Sequence, residues 1–392
     1  MTRRTAPLTL IVMPTMRLPI TSIPGIAEGE AGRVRLVTTR FVSTIAAGIF
    51  AVLIATPGFT CTTLCLFEKG RALVAYNYDA WASEGLLLVN KRGTSKKGRA
   101  EQGASWTARY GSITFNQFGR DEPISGVNEK GLMVSLMWLD ETRYPPADHR
   151  PVIGLLRWIQ YQLDNHASVA EVVAKAEAVR LTSPFPVHYL FADASGDAAA
   201  IEFLNGKLVV YRGETLPVRA LANSTYADSI AAFEAAKRTG EIPTSQSSLD
   251  RFVRGAMLVS GDGDPIARGF AALTAVASPG PASPRVGTTR WSIVYDLGAN
   301  EVYFRTDINE AIRRFTVTSF DFSCRTPMKM LDVTAPGSGD IATAFVDYSR
   351  AANRALVEAS YTKTPFLRGT SDTERTAFAD HADATSSCAV TD

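Results

Sequence analysis

The sequence predicts an α+β fold of packed layers, and three observations carry that reading. Segments with strand period cluster toward both ends of the chain, segments with helical period are inserted between the hairpins they form, and no regular βαβ alternation of the Rossmann type is present. No internal repeat and no Pro- or Ser-rich linker interrupts the body, so one domain is expected.

The elements follow in order from Cys61. CTTLCLF (61–67) and RALVAYN (71–77) read as a hairpin turned at Gly70, and GLLLVNK (85–91) as a third strand. NEKG (128–131) is a turn ahead of LMVSLMWL, a further strand. PVIGLLRWIQYQLDN (151–165) has helical period with Pro at its first position, and Ser168 with Glu171 makes a capping-box pattern ahead of VVAKAEAVR. VHYLFAD, AAAIEFL and KLVVYRG are three strands joined by tight turns at Ser195-Gly196-Asp197 and Asn205-Gly206. Helical period returns over 226–238, 249–258 and 265–276; PGPASPRVG (279–287) is a loop, and RWSIVYD with EVYFRT forms a late hairpin around Gly298 to Asn300. Residues 365–392 are polar and unpatterned and read as a loose tail. SGDGDP (260–265) offers two carboxylates and reads as a solvated turn rather than a calcium loop.

Ahead of this body lies a leader. The chain has 392 residues, 46% hydrophobic and 20% charged, with a formal net charge of +2. Its first sixty residues carry six Arg and two Glu, so the remainder holds 35 basic against 37 acidic residues, a net −2. The basic balance belongs to the leader, and nothing points to nucleic acid or to an anionic membrane surface. Arg33, Arg35 and Arg40 precede the 15-residue uncharged run from Phe41 to Ala55. That run is shorter than the about 20 residues a membrane span takes and is flanked as a signal peptide is, so no stable membrane span is expected and a periplasmic or secreted protein is. Residues 34–60 are then signal peptide and a possible short propeptide; 1–33 are either a disordered extension or a start assigned too far upstream. The domain proper is expected over 61–364.

Four cysteines are too few for a disulfide scaffold, and the four histidines lack ligand spacing, so no zinc site is expected. Cys61 stands where the leader ends. Exposed by cleavage it would hold a thiol nucleophile together with a free α-amine, which titrates near roughly 7.7–8.0 and can act as a local base. The competing reading is a packed thiol. A Cys61–Cys65 bridge does not suit a strand, where those Cα atoms lie about 13 Å apart.

CTTLCLFEKGRALVAYNYDAW resembles the start of the choloylglycine hydrolase family, which comprises bile salt hydrolases, penicillin V acylases and related linear-amide C–N hydrolases. The resemblance continues in GVNEKGLMVSLMWLDETRYP (126–145), LANSTYADS (221–229), DRFVRGAM (250–257) and TTRWSIVYDLGANEVYFRT (288–306), in order along nearly all of 61–350. It implies the four-layer αββα sandwich of N-terminal nucleophile hydrolases. It implies Cys61 as nucleophile, Asp79 as the acid orienting thiol and α-amine, Asn223 as an oxyanion donor, and Arg251 as a fixed charge favouring thiolate. The mechanism so implied needs neither a metal nor an organic cofactor. Tyr76 stands where bile salt hydrolases carry an Arg, and Trp138 where they carry an oxyanion-hole Asn. The resemblance is therefore to the broad family.

The function so implied is an exported cysteine amidohydrolase acting on a small-molecule linear amide with an apolar acyl group, and self-association into a homo-oligomer is compatible with it. Trp81, Met133, Met137, Trp138 and Tyr144 are candidates for the acyl pocket wall. Core packing is the alternative for each of them. An acyltransferase of the same fold, and a non-catalytic exported binding protein, stand as the other readings.

Overall fold

The computed structural model describes residues 60–388 except Lys69, Pro281, Ala282, Pro284 and Arg285. The expected leader, and all of the expected signal peptide and propeptide but Thr60, lie outside the described residues.

Two large sheets face each other. One has seven strands in the order β14 (Ala220–Leu221), β1 (Thr62–Glu68), β2 (Arg71–Ala80), β15 (Thr288–Asp296), β16 (Glu301–Thr306), β17 (Arg313–Thr316) and β19 (Gly339–Asp340). The other has nine: β13 (Lys207–Arg212), β12 (Ala198–Leu204), β11 (Val187–Ala192), β8 (Met133–Trp138), β7 (Pro123–Asn128), β6 (Ser112–Asn116), β3 (Leu86–Asn90), β18 (Lys329–Asp332) and β20 (Val346–Asp347). Small sheets join β9 (Val152–Ile153) to β10 (Arg180–Leu181), and β4 (Thr94–Lys97) to β5 (Ser105–Thr107) and β21 (Ser387–Cys388). Helices α1 (Leu155–Asn165) and α2 (Val169–Lys175) cover the nine-stranded sheet; α3 (Tyr226–Thr239), α4 (Ser248–Leu258) and α5 (Pro265–Ala275) lie on the side of the seven-stranded one. Helices outside, sheets inside: this is the αββα sandwich.

Burial follows from that stacking. After its first residue, β2 (RALVAYNYDA) is buried throughout, because helices cover one of its faces and the second sheet covers the other. Side chains alternate accordingly. Tyr76 donates its phenol to the Leu136 carbonyl of the opposite sheet at 2.9 Å, while Asn77 donates to Leu273 of α5 at 2.8 Å.

The hairpin at Gly70 (φ 75°), the turn at Asn205-Gly206 (φ 53° and 75°), the strand-turn-strand series 187–212 and the late hairpin form as expected. Ser168 caps α2 by accepting from the Glu171 amide. Three expectations are corrected. The helix read from Pro151 begins only at Leu155, because Val152 and Ile153 pair with Arg180 and Leu181. The helix read through Arg180 stops at Lys175 for the same reason. Beyond Pro365 the chain is no loose tail: after α6 (Arg350–Lys363) comes α7 (Asp372–Thr385), opened by a Ser371/Glu374 capping box. Arg354–Asp380 at 2.6 Å joins α7 to α6, Arg120–Asp383 at 2.6 Å ties α7 to the body, and the Cys324–Cys388 disulfide fastens its end. Few large apolar side chains mark this helix, so its period was not visible in the sequence.

A buried ionic cluster lies under α1. Lys96 reaches Asp121 at 2.9 Å and Asp164 at 3.0 Å, and Arg157 meets Glu122 at 3.1 Å. Burial pushes the Asp121 carboxyl up, but Lys96, Arg120 and Arg157 outweigh it and hold it below the usual carboxylate range.

Candidate active site

Cys61 immediately precedes β1 at the edge of the inter-sheet space, where continued strand alternation sets its side chain on the face shared with Thr63. Thr63 there meets Ser135 of the other sheet at 2.9 Å. The Cys61 thiol accepts the Asp79 amide N–H at 3.4 Å. Burial first, and then the Asp79 carboxylate, push this thiol up to about 12; Asp79's backbone N–H, Tyr76 and Arg251 pull the other way without prevailing.

Asp79, near the end of β2, is fully buried. Its carboxylate accepts from Thr289 Oγ1 at 2.6 Å and from Thr60 Oγ1 at 2.6 Å. Burial raises its carboxyl above the usual range, against Arg251 and those two hydroxyls. Thr289 comes from β15, whose register against β2 shifts between Thr289 and Trp291. The bulge there frees Arg290 to donate to the Ala80 carbonyl at 3.0 Å.

Arg251 sits on the face of α4 turned to β1 and is buried, where an isolated helix arginine would ordinarily be solvated. Its guanidinium donates to the carbonyls of Thr60 and Cys61 and to Thr62 Oγ1, the Cys61 contact being 3.0 Å. Its second arm donates to Asn223 Oδ1 at 2.8 Å. Arg254 is buried too, and donates to the Ala275, Pro243 and Ser245 carbonyls instead of facing solvent or pairing with Asp250.

Asn223 follows β14. Its backbone N–H donates to Ser248 Oγ at 2.7 Å and its amide Nδ2 donates to the Trp138 carbonyl at 2.9 Å, which leaves the amide's second N–H as donor capacity. Asp79 and Arg251, read from separate stretches of sequence, are thus brought together around Thr60 and Cys61, and Asn223 joins them through its bond to Arg251. Thr60, Thr289 and Tyr76 complete the surroundings. Thr289 lies in the TTRW run that carried part of the resemblance, and a hydroxyl facing a buried carboxylate has no signature of its own in sequence.

A cavity of about 240 Å³ is lined by Tyr78, the neighbour of Asp79 in β2, and by Trp138, whose carbonyl holds the Asn223 amide; Cys61, Asp79, Asn223 and Arg251 are not on its wall. Trp138 is the one pocket candidate on its wall. Trp81 packs edge-on against the wall residue Phe366 with ring centroids 5.5 Å apart. Tyr144 stands behind the wall, donating to the Phe185 carbonyl at 2.8 Å. Met133 and Met137 are corrected: both are buried on the β8 face that turns to the other sheet, where Thr63 meets the Met137 sulfur at 3.1 Å. Alternation along β8 aims Leu136 and Trp138 the opposite way, into the cavity. Among the described residues no group of three or more His, Cys, Asp or Glu is placed to hold a metal ion, and no helix is long and apolar enough to cross a membrane.

Two helix-covered sheets with a cysteine opening the first strand define the class: this is an N-terminal nucleophile hydrolase fold. A penicillin V acylase structure from Agrobacterium tumefaciens is similar with a TM-score of 0.66 and 28% identity, over 74% of this chain and 98% of that one. A mutant conjugated bile acid hydrolase from Clostridium perfringens shares the fold at TM-score 0.58 and 18% identity, over 71% of this chain and 98% of that one. The penicillin V acylase of Pectobacterium atrosepticum is 26% identical over 275 residues, which cover 58% of this chain and 72% of the relative. Residues 61–226 match the linear amide C–N hydrolases of the choloylglycine hydrolase family. By these similarities the chain is a hydrolase acting on linear amides.

Proposed function

We propose that the chain is the precursor of an exported cysteine amidohydrolase, and that cleavage between Thr60 and Cys61 completes its active site. One observation carries the reading: Arg251 donates to the Thr60 carbonyl of the peptide that would be cut and also holds Asn223, while Asp79 accepts from the Thr60 hydroxyl. With Thr60 gone, the new α-amine of Cys61 would lie beside the Asp79 carboxylate, which would fix its geometry and stabilise the ammonium it becomes on taking the thiol proton.

In the reaction the thiol gives its proton to the α-amine as sulfur attacks the amide carbonyl. The oxyanion receives the second N–H of Asn223 and a backbone N–H. Collapse of the intermediate returns the proton to the leaving amine and leaves a thioester. Water, deprotonated by the same α-amine, then releases the carboxylic acid and restores the thiol. The aromatic cavity takes an apolar acyl group, and at about 240 Å³ it is smaller than the roughly 300–1,000 Å³ of drug-sized sites. A compact aryl-acyl or short alkyl group therefore fits better than a fused-ring one. The penicillin V acylase relatives support a phenoxyacetyl amide as the first substrate to try. The leader sequence and the Cys324–Cys388 disulfide support export, since disulfides persist in oxidising compartments.

The test is the intact mass and N-terminal residue of the exported protein, followed by hydrolysis of penicillin V by wild type and Cys61→Ala. A chain starting at Cys61 with turnover only in the wild type is expected. Amide hydrolysis surviving in Cys61→Ala, or in a chain still carrying Thr60, would overturn the mechanism.

A further inference from the structure

We infer that the C-terminal arm, residues 350–388, sets which acyl groups this hydrolase accepts, with Phe366 as its specificity-determining residue beside the active site. The inference rests on the reading of the cavity as an acyl pocket. Four of the cavity's wall residues come from the arm: Tyr361 of α6, Phe366 and Leu367 of the turn after it, and Phe378 of α7. None of them falls within residues 61–226, where the family match lies.

Phe366 is the one that meets the site. Its ring packs against Trp138 at 6.0 Å, Trp81 at 5.5 Å and Phe185 at 5.2 Å between centroids. The Trp138 carbonyl is the acceptor that holds the Asn223 amide. The packed Trp138–Phe366 pair therefore forms the part of the cavity wall nearest the Asn223 amide, where an acyl chain entering from the amide end would first meet it. At the far end Arg99 lies over the Phe378 ring at 3.5 Å and pairs with Glu122 at 3.0 Å, which closes the apolar space with a charged pair. An uncharged alkyl or aryl tail that stops short of this pair is what the space accommodates; a longer tail would strip water from Arg99 and Glu122.

The arm is held as a rigid wall. Asn353 donates to the Ala379 carbonyl at 2.9 Å, joining α6 to α7, and its Oδ1 accepts the Arg120 backbone N–H at 2.7 Å. The disulfide anchors the far end of α7 to Cys324. A wall fixed at both ends holds its shape as the acyl group enters, so ring size at residue 366 translates into acyl-length preference.

The test compares kcat/KM for linear N-acyl amides with hexanoyl, octanoyl, decanoyl and dodecanoyl groups in wild type, Phe366→Ala and Phe366→Trp. The alanine variant is expected to move the optimum toward longer chains by about two carbons. Each methylene newly buried gains about fourfold, so the longest substrates gain roughly fifteenfold relative to the shortest. The tryptophan variant is expected to move the optimum the other way. A change by one common factor across the series in both variants would overturn the inference. Binding of the matching alkanoic acids to Cys61→Ala and Cys61→Ala/Phe366→Ala, followed by tryptophan fluorescence, gives a readout that needs no turnover. If wild type hydrolyses neither these amides nor penicillin V, the amidohydrolase reading fails, and the acid-length profile still decides whether Phe366 sets length. An identical binding profile in the two proteins would reject that role.

Discussion

While Thr60 precedes it, Cys61 carries a thiol that burial and the Asp79 carboxylate push up to about 12, and Arg251 spends its donors on backbone carbonyls and Thr62. Such a thiol is protonated at neutral pH and reacts slowly. Alkylation by iodoacetamide at pH 8 should therefore be far slower in uncleaved chain than in chain beginning at Cys61. The sign for stability follows from the same shift. The folded pKa lies above the unfolded one, so the contribution is fully present below the ordinary thiol range and is lost as pH rises toward about 12. Between pH 8 and pH 10.5 the uncleaved wild type should lose more thermal stability than uncleaved Cys61→Ala, as differential scanning calorimetry would record. Asn223 tests the oxyanion role. Asn223→Ala should lower kcat by about 10²–10³-fold with a smaller change in KM, the pattern of a donor used mainly in the transition state. A loss confined to KM would make it a substrate-binding residue only.

Between elements, the contact that matters most is the seam of β2 and β15. A Cβ placed on Gly287 would lie 2.9 Å from the Ala80 backbone nitrogen and 3.0 Å from its Cα, so backbone and not a mobile side chain would have to move. Ala80 follows Asp79, and two residues after Gly287 Thr289 donates to the Asp79 carboxylate. Gly287→Ala should therefore cost about 1–3 kcal/mol in denaturant unfolding and reduce activity well beyond that loss of folded protein. Beneath α1, Lys96 is the cation between two buried carboxylates. Lys96→Met should destabilise by about 3–5 kcal/mol, because Asp121 and Asp164 keep their desolvation without their partner. Normal stability of that variant in a urea titration would show the cluster to be hydrated or otherwise paired.

For the whole molecule, the arm beyond residue 350 is joined back to the body by a disulfide spanning 64 residues of sequence. A loop of that length corresponds to about 4 kcal/mol in the chain-entropy account. Cys388→Ser, or dithiothreitol added to wild type, should lower the unfolding free energy by a comparable amount, read by denaturant titration with and without reductant. Insensitivity to both would mean that α6, α7 and their ion pairs hold the arm unaided.

How much of this was legible differs between the two halves of the chain. Cys61, Asp79, Asn223 and Arg251 stood in short runs whose local pattern and family resemblance were visible, and the hairpins announced themselves by strict alternation and turn residues. Sequence alone thereby determined the layered α+β class, the first strands, the helices 226–275 and which side chains to bring together. Tertiary structure alone decided that Met133 and Met137 face the second sheet rather than the pocket, since alternation along β8 says which residues share a face but not which face meets which neighbour. It alone decided that 365–388 is a packed arm, because α7 is held by ion pairs, small residues and a disulfide rather than by an apolar stripe. And it alone gave Thr60 and Thr289 their place at Asp79, for hydrogen bonds between residues 19 and 210 apart in sequence leave no periodic trace.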